Sequence, residues 1–253
     1  MSEKIWFLKS CKLFENLTPE QMHRLELCSR IRNYAKRSPV YLPAEQADDV
    51  LLLTRGRVKI CHLTSEGKQS ILAFIEPGEL FGELAILDAG TREEYAEAVE
   101  KTSIVSIPKQ MIQQLMEQHA ELSLGITKLM GLRRMRIEKR VKNLLFLSNR
   151  ERLSHLLLEL VEQYGKLTDA GIEIAIKLSH QDLANIIGST RETVTVVLGE
   201  LQAEKLLTIG RRKIVLTAIH QLAQSVQAPV PRLPQPEQET MQLRTSLRTG
   251  FSS

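Results

Sequence analysis

One stretch of this 253-residue chain, Leu178 to Thr217, holds side chains whose types and spacing can read a nucleic acid. Arg191 and Glu192 stand side by side just after Gly188-Ser189-Thr190. At the start of an exposed helix, arginine can pair bidentately with guanine and glutamate can accept from the cytosine amino group. Further along, Gly210-Arg211-Arg212-Lys213 is a compact basic group suited to phosphate.

The elements that would position these residues can be read from the same stretch. Ser179 followed by Asp182 is an N-cap pattern and predicts a helix over 180–187. Gly188 suits the left-handed position that ends a helix. Ser189 or Thr190 then caps a second helix over about 191–204, and two short helices across a tight turn make a helix-turn-helix. On the second helix Val194, Val197, Leu198 and Leu201 form a side to bury. Glu192, Thr195, Val196 and Gly199 recur on the opposite side, with Arg191 at its start. Residues 207–209 and 213–216 read as strands, joined by 210–212 into a basic wing.

Other chemistry finds less support. Cys11, Cys28 and Cys61 are an odd, widely spaced set, so they read as small buried apolar residues and not as a disulfide framework. Three thiols are too few for a four-thiolate iron–sulfur cluster, and Cys61-His62 would point to opposite faces of a strand. Ser154-His155 and Ser179-His180 are helix neighbours and do not face one another. No phosphate-cradling glycine loop or catalytic triad signature is present. A cupin-like metalloenzyme needs several ligands inside a β-roll, and His62 is the only histidine of that region. The chain is therefore expected not to be an enzyme, and no cofactor or metal is predicted.

Composition bounds the class. The chain is 43% apolar, 25% charged and 4% aromatic, as for a soluble globular protein with one large or two ordinary domains. Its longest apolar run, residues 71–75, is far short of a membrane span, and a cytoplasmic location is expected. The net charge of +4 belongs to residues 111–146, with seven basic and three acidic groups, whereas residues 147–225 are neutral overall. A basic run on a helix is most simply a solvated face, so bulk charge identifies no partner.

Residues 31–108 are short apolar runs punctuated by Gly56, Gly67, Pro77-Gly78, Gly82 and Gly90, which predicts many short strands in a sandwich or roll. Glu66-Gly67-Lys68 reads as a hairpin turn. A leading helix is expected over 19–29, with Thr18 and Gln21 as a capping box. Residues 110–146 predict one long helix with two apolar stripes. One stripe comprises Ile126, Met130, Ile137, Val141 and Leu144, and the other Leu122, Leu129, Leu132 and Met135. Two stripes require two surfaces, one on the helix's own domain and one elsewhere; a partner helix in a coiled-coil-like dimer seam is predicted, the alternative being burial within one subunit. Residues 226–253 hold four of the nine prolines and read as a mobile tail.

Residues 178–201, Leu-Ser-His-Gln-Asp-Leu-Ala-Asn-Ile-Ile-Gly-Ser-Thr-Arg-Glu-Thr-Val-Thr-Val-Val-Leu-Gly-Glu-Leu, resemble the winged helix-turn-helix of the Crp/Fnr family of bacterial transcription regulators. Within that family the likeness is greatest to cyanobacterial nitrogen regulators. Upstream, Gly56-Arg-Val-Lys-Ile60, Glu66-Gly-Lys68, Pro77-Gly78 and Phe81-Gly-Glu-Leu-Ala85 resemble its cyclic-nucleotide-binding β-roll. The resemblance covers roughly residues 7–220 and implies an α+β fold in four parts. These are a cyclic-nucleotide-binding-like sensor domain at 1–110, a dimerisation helix at 111–146, a winged helix-turn-helix at 147–225 and a disordered tail at 226–253.

It implies a homodimer that binds double-stranded DNA at palindromic operators, with RNA polymerase as a further partner. Arg191 and Glu192 match the base-reading pair, while Ser179, Ser189, Thr190 and Thr193 lie where phosphate contacts are usual, with Thr195, Arg211, Arg212 and Lys213 beside them. Val196 departs from the pattern, since the family commonly has arginine there. It either packs on a thymine methyl, altering the preference at one base pair per half-site, or tucks toward the domain core.

The sensor pocket implied by the resemblance would draw on Gly82, Glu83, Leu84, Arg92, Arg133, Arg136 and Ile137. Glu83 matches the family's acceptor for a ribose hydroxyl. The family's phosphate-clamping Arg-Ser-Ala position reads Glu93-Glu94-Tyr95-Ala96 here, with Arg92 out of register, so cyclic AMP is not expected to bind in the usual way. A small anionic acid would have to use Arg133, Arg134 and Arg136. The effector stays open, and DNA binding without one stands beside it.

Overall fold

The computed structural model describes residues 3–64, 69–87, 90–211 and 213–234. The chain divides into two compact units, 1–142 and 143–253.

The first unit opens with α1 (Glu3–Ser10) and α2 (Pro19–Cys28). The Thr18–Gln21 capping box is formed as expected, with Pro19 at the first helical position. Eight strands follow: β1 (Arg30–Tyr34), β2 (Pro39–Tyr41), β3 (Asp49–Arg55), β4 (Val58–Leu63), β5 (Gln69–Ile75), β6 (Leu80–Phe81), β7 (Tyr95–Ala98) and β8 (Thr102–Pro108). A 3-10 turn, Glu83–Leu87, lies between β6 and β7. The strands make two four-stranded antiparallel sheets, ordered β1-β8-β3-β6 and β2-β7-β4-β5. The predicted turn at Glu66-Gly67-Lys68 lies outside the described residues.

The continuous apolar run Val50-Leu-Leu-Leu53 has a physical reason: β3 is covered on both faces. Leu51, Leu53 and Ile104 turn into the roll, where they meet Val58, Ile75, Phe81 and Ala96. Val50, Leu52, Val105 and Ile107 face the helical layer, packing on Leu8, Phe14, Leu25, Ile112 and Leu122.

The predicted single helix over 110–146 is interrupted. It forms as α3 (Lys109–Gln118) and α4 (Ala120–Phe146), with His119 in extended conformation between them. Ser123 Oγ donates to the Met116 carbonyl at 2.7 Å, satisfying an acceptor left open where α3 ends. The two stripes also divide differently from the expectation. Leu122 and Ile126 are buried, and Leu129 and Met130 pack beside them on the core. Further on, Leu132, Met135, Ile137 and Val141 from both stripes are exposed, at 46–65%.

In the second unit α5 (Asn149–Tyr164) starts at a capping box between Ser148 and Glu151. A hairpin of β9 (Gly165–Thr168) and β10 (Gly171–Ile174) follows, then α6 (His180–Ile187), α7 (Arg191–Ala203), β11 (Leu207–Gly210), β12 (Lys213–Leu216) and α8 (Ile219–Ser225). The wing strands pair Leu207 with Leu216 and Gly210 with Lys213, and β12 continues onto β10 to give the order β11-β12-β10-β9. Leu153, Leu157, Val161, Leu183, Val194, Leu198, Leu201 and Leu222 are buried in this unit. Residues 226–234 form no helix or strand, and the rest of the predicted tail lies outside the described residues.

Candidate DNA interface and sensor pocket

The helix-turn-helix follows from three local devices. Ser179 Oγ accepts from the Asp182 backbone N–H at 3.1 Å while Asp182 reaches back to the Ser179 N–H at 2.9 Å, fixing the start of α6. Gly188 ends that helix in the left-handed region, φ +65°, where a side chain is unfavourable. Thr190 Oγ1 accepts from the Thr193 N–H at 3.2 Å and starts α7.

This arrangement buries Val194, Val197, Leu198 and Leu201 and leaves Arg191, Glu192, Thr195, Val196 and Gly199 exposed. Val196 is 60% exposed, which excludes the core position left open for it above. Among the described residues, neither Arg191 nor Glu192 is held in an ion pair. The hydroxyls are more committed than their sequence positions suggested. Ser179 donates to Asp182 Oδ2 at 2.6 Å, Thr190 and Thr193 are 3.0 Å apart, and Thr195 donates to the Arg191 carbonyl at 2.9 Å. Ser189 is half-buried beside Gly188. At the wing, Arg211 is exposed, Lys213 Nζ lies 2.7 Å from Glu173 Oε2, and Arg212 lies outside the described residues.

Sequence reasoning missed His180. Its Nδ1 is 2.8 Å from Thr195 Oγ1, linking the first residue of α6 to the exposed face of α7. No periodicity could have shown this, because the pair joins two separate elements.

In the first unit, a cavity of about 260 Å³ opens between the roll and α4. Gly82, Glu83, Leu84, Arg133, Arg136 and Ile137 line it. Glu83 is buried and pairs with Arg133, which also donates to the Leu80 carbonyl. Arg92, a pocket candidate from sequence, does not line the cavity. Its guanidinium is buried, donates to the carbonyls of Gly82 (2.9 Å) and Asp49, and stacks 4.7 Å over the Tyr41 ring.

Glu94 lines the wall instead and accepts from the Tyr41 hydroxyl at 3.4 Å. Burial, with the like charge of Glu83 adding to it, holds its carboxyl above the usual carboxylate range. Cys61 is buried while His62 is exposed, on opposite faces of β4. Cys11 is buried too, and that burial pushes its thiol up to about 11, away from thiolate chemistry. Among the described residues, no three His, Cys, Asp or Glu side chains gather where they could hold a metal ion, and no helix is long and apolar enough to cross a membrane.

A β-roll with a cavity against a long helix, and a winged helix-turn-helix, together define a DNA-binding transcription regulator. The profile of the cyclic nucleotide-binding domain matches residues 31–119, and that of the Crp-like helix-turn-helix domain matches residues 151–225. The chain is 30% identical over 189 residues to the global nitrogen regulator of Synechococcus elongatus, spanning 74% of this chain and 85% of that protein. It is 28% identical over 203 residues to the cyclic AMP receptor protein of Thermus thermophilus, spanning 80% of this chain and 91% of that protein. Its fold matches the c-di-GMP-responsive global regulator CLP of Xanthomonas campestris with a TM-score of 0.70 at 23% identity, over 79% of this chain and 99% of that one. The chain belongs to the Crp/Fnr family of transcription regulators.

Proposed function

We propose that this chain acts as a homodimeric, sequence-specific regulator whose recognition helix is α7, and not as an enzyme. The observation that carries the reading is the exposed face of α7. Arg191 and Glu192 stand at its N-terminus without ion-pair partners among the described residues, next to an exposed Val196. Arg191 reads guanine, Glu192 reads cytosine and Val196 meets a thymine methyl. Ser189, Thr193 and the wing residues Arg211 and Arg212 approach phosphates, while the Ser179 and Thr190 hydroxyls act mainly as helix caps.

Dimerisation is assigned to the exposed apolar positions Leu132, Met135, Ile137 and Val141 of α4, the part of the 111–146 segment that forms the long helix. Residues 1–110 serve as the sensor, 147–225 as the DNA reader and 226–253 as an appendage. A two-fold dimer reads a palindrome with half-sites one helical turn, about 34 Å, apart. Contact with RNA polymerase belongs to the same reading. Cyclic AMP bound in the manner usual for the family does not fit, because Glu94 faces the cavity where the cyclic phosphate would need a guanidinium.

Fluorescence anisotropy on a labelled operator tests the proposal. Arg191→Ala should weaken specific binding by about 1–3 kcal/mol and leave non-specific binding nearly unchanged. Equal loss on every sequence, or no loss, would show that α7 does not read bases.

A further inference from the structure

The cavity of the first unit carries on its wall an acidic group, Glu94, that no cationic side chain contacts in an ion pair among the described residues. Four ionisable groups face Glu94: Tyr41 from β2, Glu83 from the 3-10 turn, Arg92 from the segment before β7, and Arg133 from α4. Both arginines favour its charge at a distance, but neither donates a hydrogen bond to it, and burial with the Glu83 charge outweighs them. Arg92 is held by the Gly82 and Asp49 carbonyls and by the Tyr41 ring, and Arg133 by Glu83 and the Leu80 carbonyl. Glu94 keeps only the Tyr41 hydroxyl, at 3.4 Å, and forms no ion pair among the described residues.

The remaining wall is apolar: Ile60, Leu72, Ala73, Ile75, Phe81 and Met130. At the mouth, Arg134 and Glu138 neutralise each other at 2.7 Å, and Arg136 is exposed to screening water. The volume of about 260 Å³ sits just below the usual range for small-molecule sites, about 300–1,000 Å³.

We infer that this cavity takes a small organic cation, an ammonium or amidinium group on an apolar body, with Glu94 as its counter-ion. An anion entering the cavity would confront Glu83 and Glu94 together; Arg136 offers it only a solvent-screened partner, and a buried one requires breaking the Glu83–Arg133 pair. A cation gains a charge-assisted hydrogen bond at Glu94 and leaves that pair intact. It also favours the charged form of a carboxyl that burial and Glu83 now disfavour, so binding strengthens as pH rises through the Glu94 titration. The inference rests on reading the cavity as the effector site.

Calorimetry on the full chain tests it with four probes: 2-phenylethylammonium, the neutral 2-phenylethanol, 3-phenylpropionate and cyclic AMP. The ammonium should bind best. Glu94→Gln, with thermal unfolding checked, should weaken it by about ten- to a hundredfold, the worth of a hydrogen bond to a charge. Tighter binding of the carboxylate or of cyclic AMP, ammonium affinity indifferent to Glu94→Gln, or no heat from any probe would overturn the inference. Leu72→Trp, which fills the cavity, separates the two claims. An anion whose binding it abolishes leaves the cavity as the effector site and refutes only the cation. Probes that still bind to Leu72→Trp refute the site itself.

Discussion

His180 Nδ1 and Thr195 Oγ1 lie 2.8 Å apart, and that contact joins the two helices of the DNA reader across their turn. Thr195 already donates to the Arg191 carbonyl at 2.9 Å, so its oxygen accepts here and the imidazole carries its proton on Nδ1. The bond thereby ties the start of α6 to the residue whose side chain is assigned to guanine.

His180→Ala should weaken operator binding about three- to tenfold, the range of one net hydrogen bond. Thr195→Val should do the same, and the double variant should lose little more, because both changes break one interaction. Anisotropy with all three proteins decides it, and strict additivity would show that the contact does not position α7.

Gly188→Ala places a Cβ in the left-handed region at φ +65° and brings it 2.9 Å from Leu144 Cδ2. The conformational cost alone is about 1–2 kcal/mol. Denaturant unfolding of the full chain should show a lower midpoint for the second unit with the first unaffected, and an unchanged midpoint would refute this role for the glycine.

Arg133→Met leaves the Glu83 carboxylate buried without its partner. Breaking a fully buried pair costs about 3–5 kcal/mol, and Arg133 is 19% exposed, so the lower end is expected. Adding Glu83→Gln should restore part of the loss, since no uncompensated charge then remains. Thermal melts that rank the double variant below the single one would contradict the assignment.

Glu94 makes the stability of the first unit depend on pH. The folded chain holds this proton to higher pH than the unfolded chain, whose carboxyl titrates near 4.5. Its contribution is therefore most favourable below that value and is lost as pH rises through the raised folded value. Glu94→Gln should match the wild type in acid and exceed it in stability at pH 7.5. Parallel stability curves across the whole range would show that Glu94 is not perturbed.

Much of this arrangement could be read from residue types alone. Caps at Thr18, Ser179 and Thr190, with the left-handed Gly188, place α2, α6 and α7 to within a residue of the structure. What escaped the sequence depended on contacts between distant segments. The break at His119 carries no proline or glycine and rests on a hydroxyl from the next turn. The hairpin of β9 and β10 is four residues a side, too short for a periodic signal, although Asp169-Ala170-Gly171 is a turn signature with Gly171 at φ +125°. Arg92 looked available for a ligand because its carbonyl partners at Gly82 and Asp49 lie 10 and 43 residues away in the chain. Val196 was ambiguous by spacing, lying between buried Val197 and exposed Thr195, and only its 60% exposure decides the matter.

The central claim is that a dimer reads DNA through Arg191, Glu192 and Val196. Selection of bound duplexes from a random pool, run with the wild-type chain and with Val196→Arg, tests it most directly. The wild type should enrich a palindrome with half-site centres about 34 Å apart and no guanine preference at the base pair facing Val196, while Val196→Arg should gain that preference. An asymmetric or absent motif, or identical motifs from the two proteins, would contradict the account.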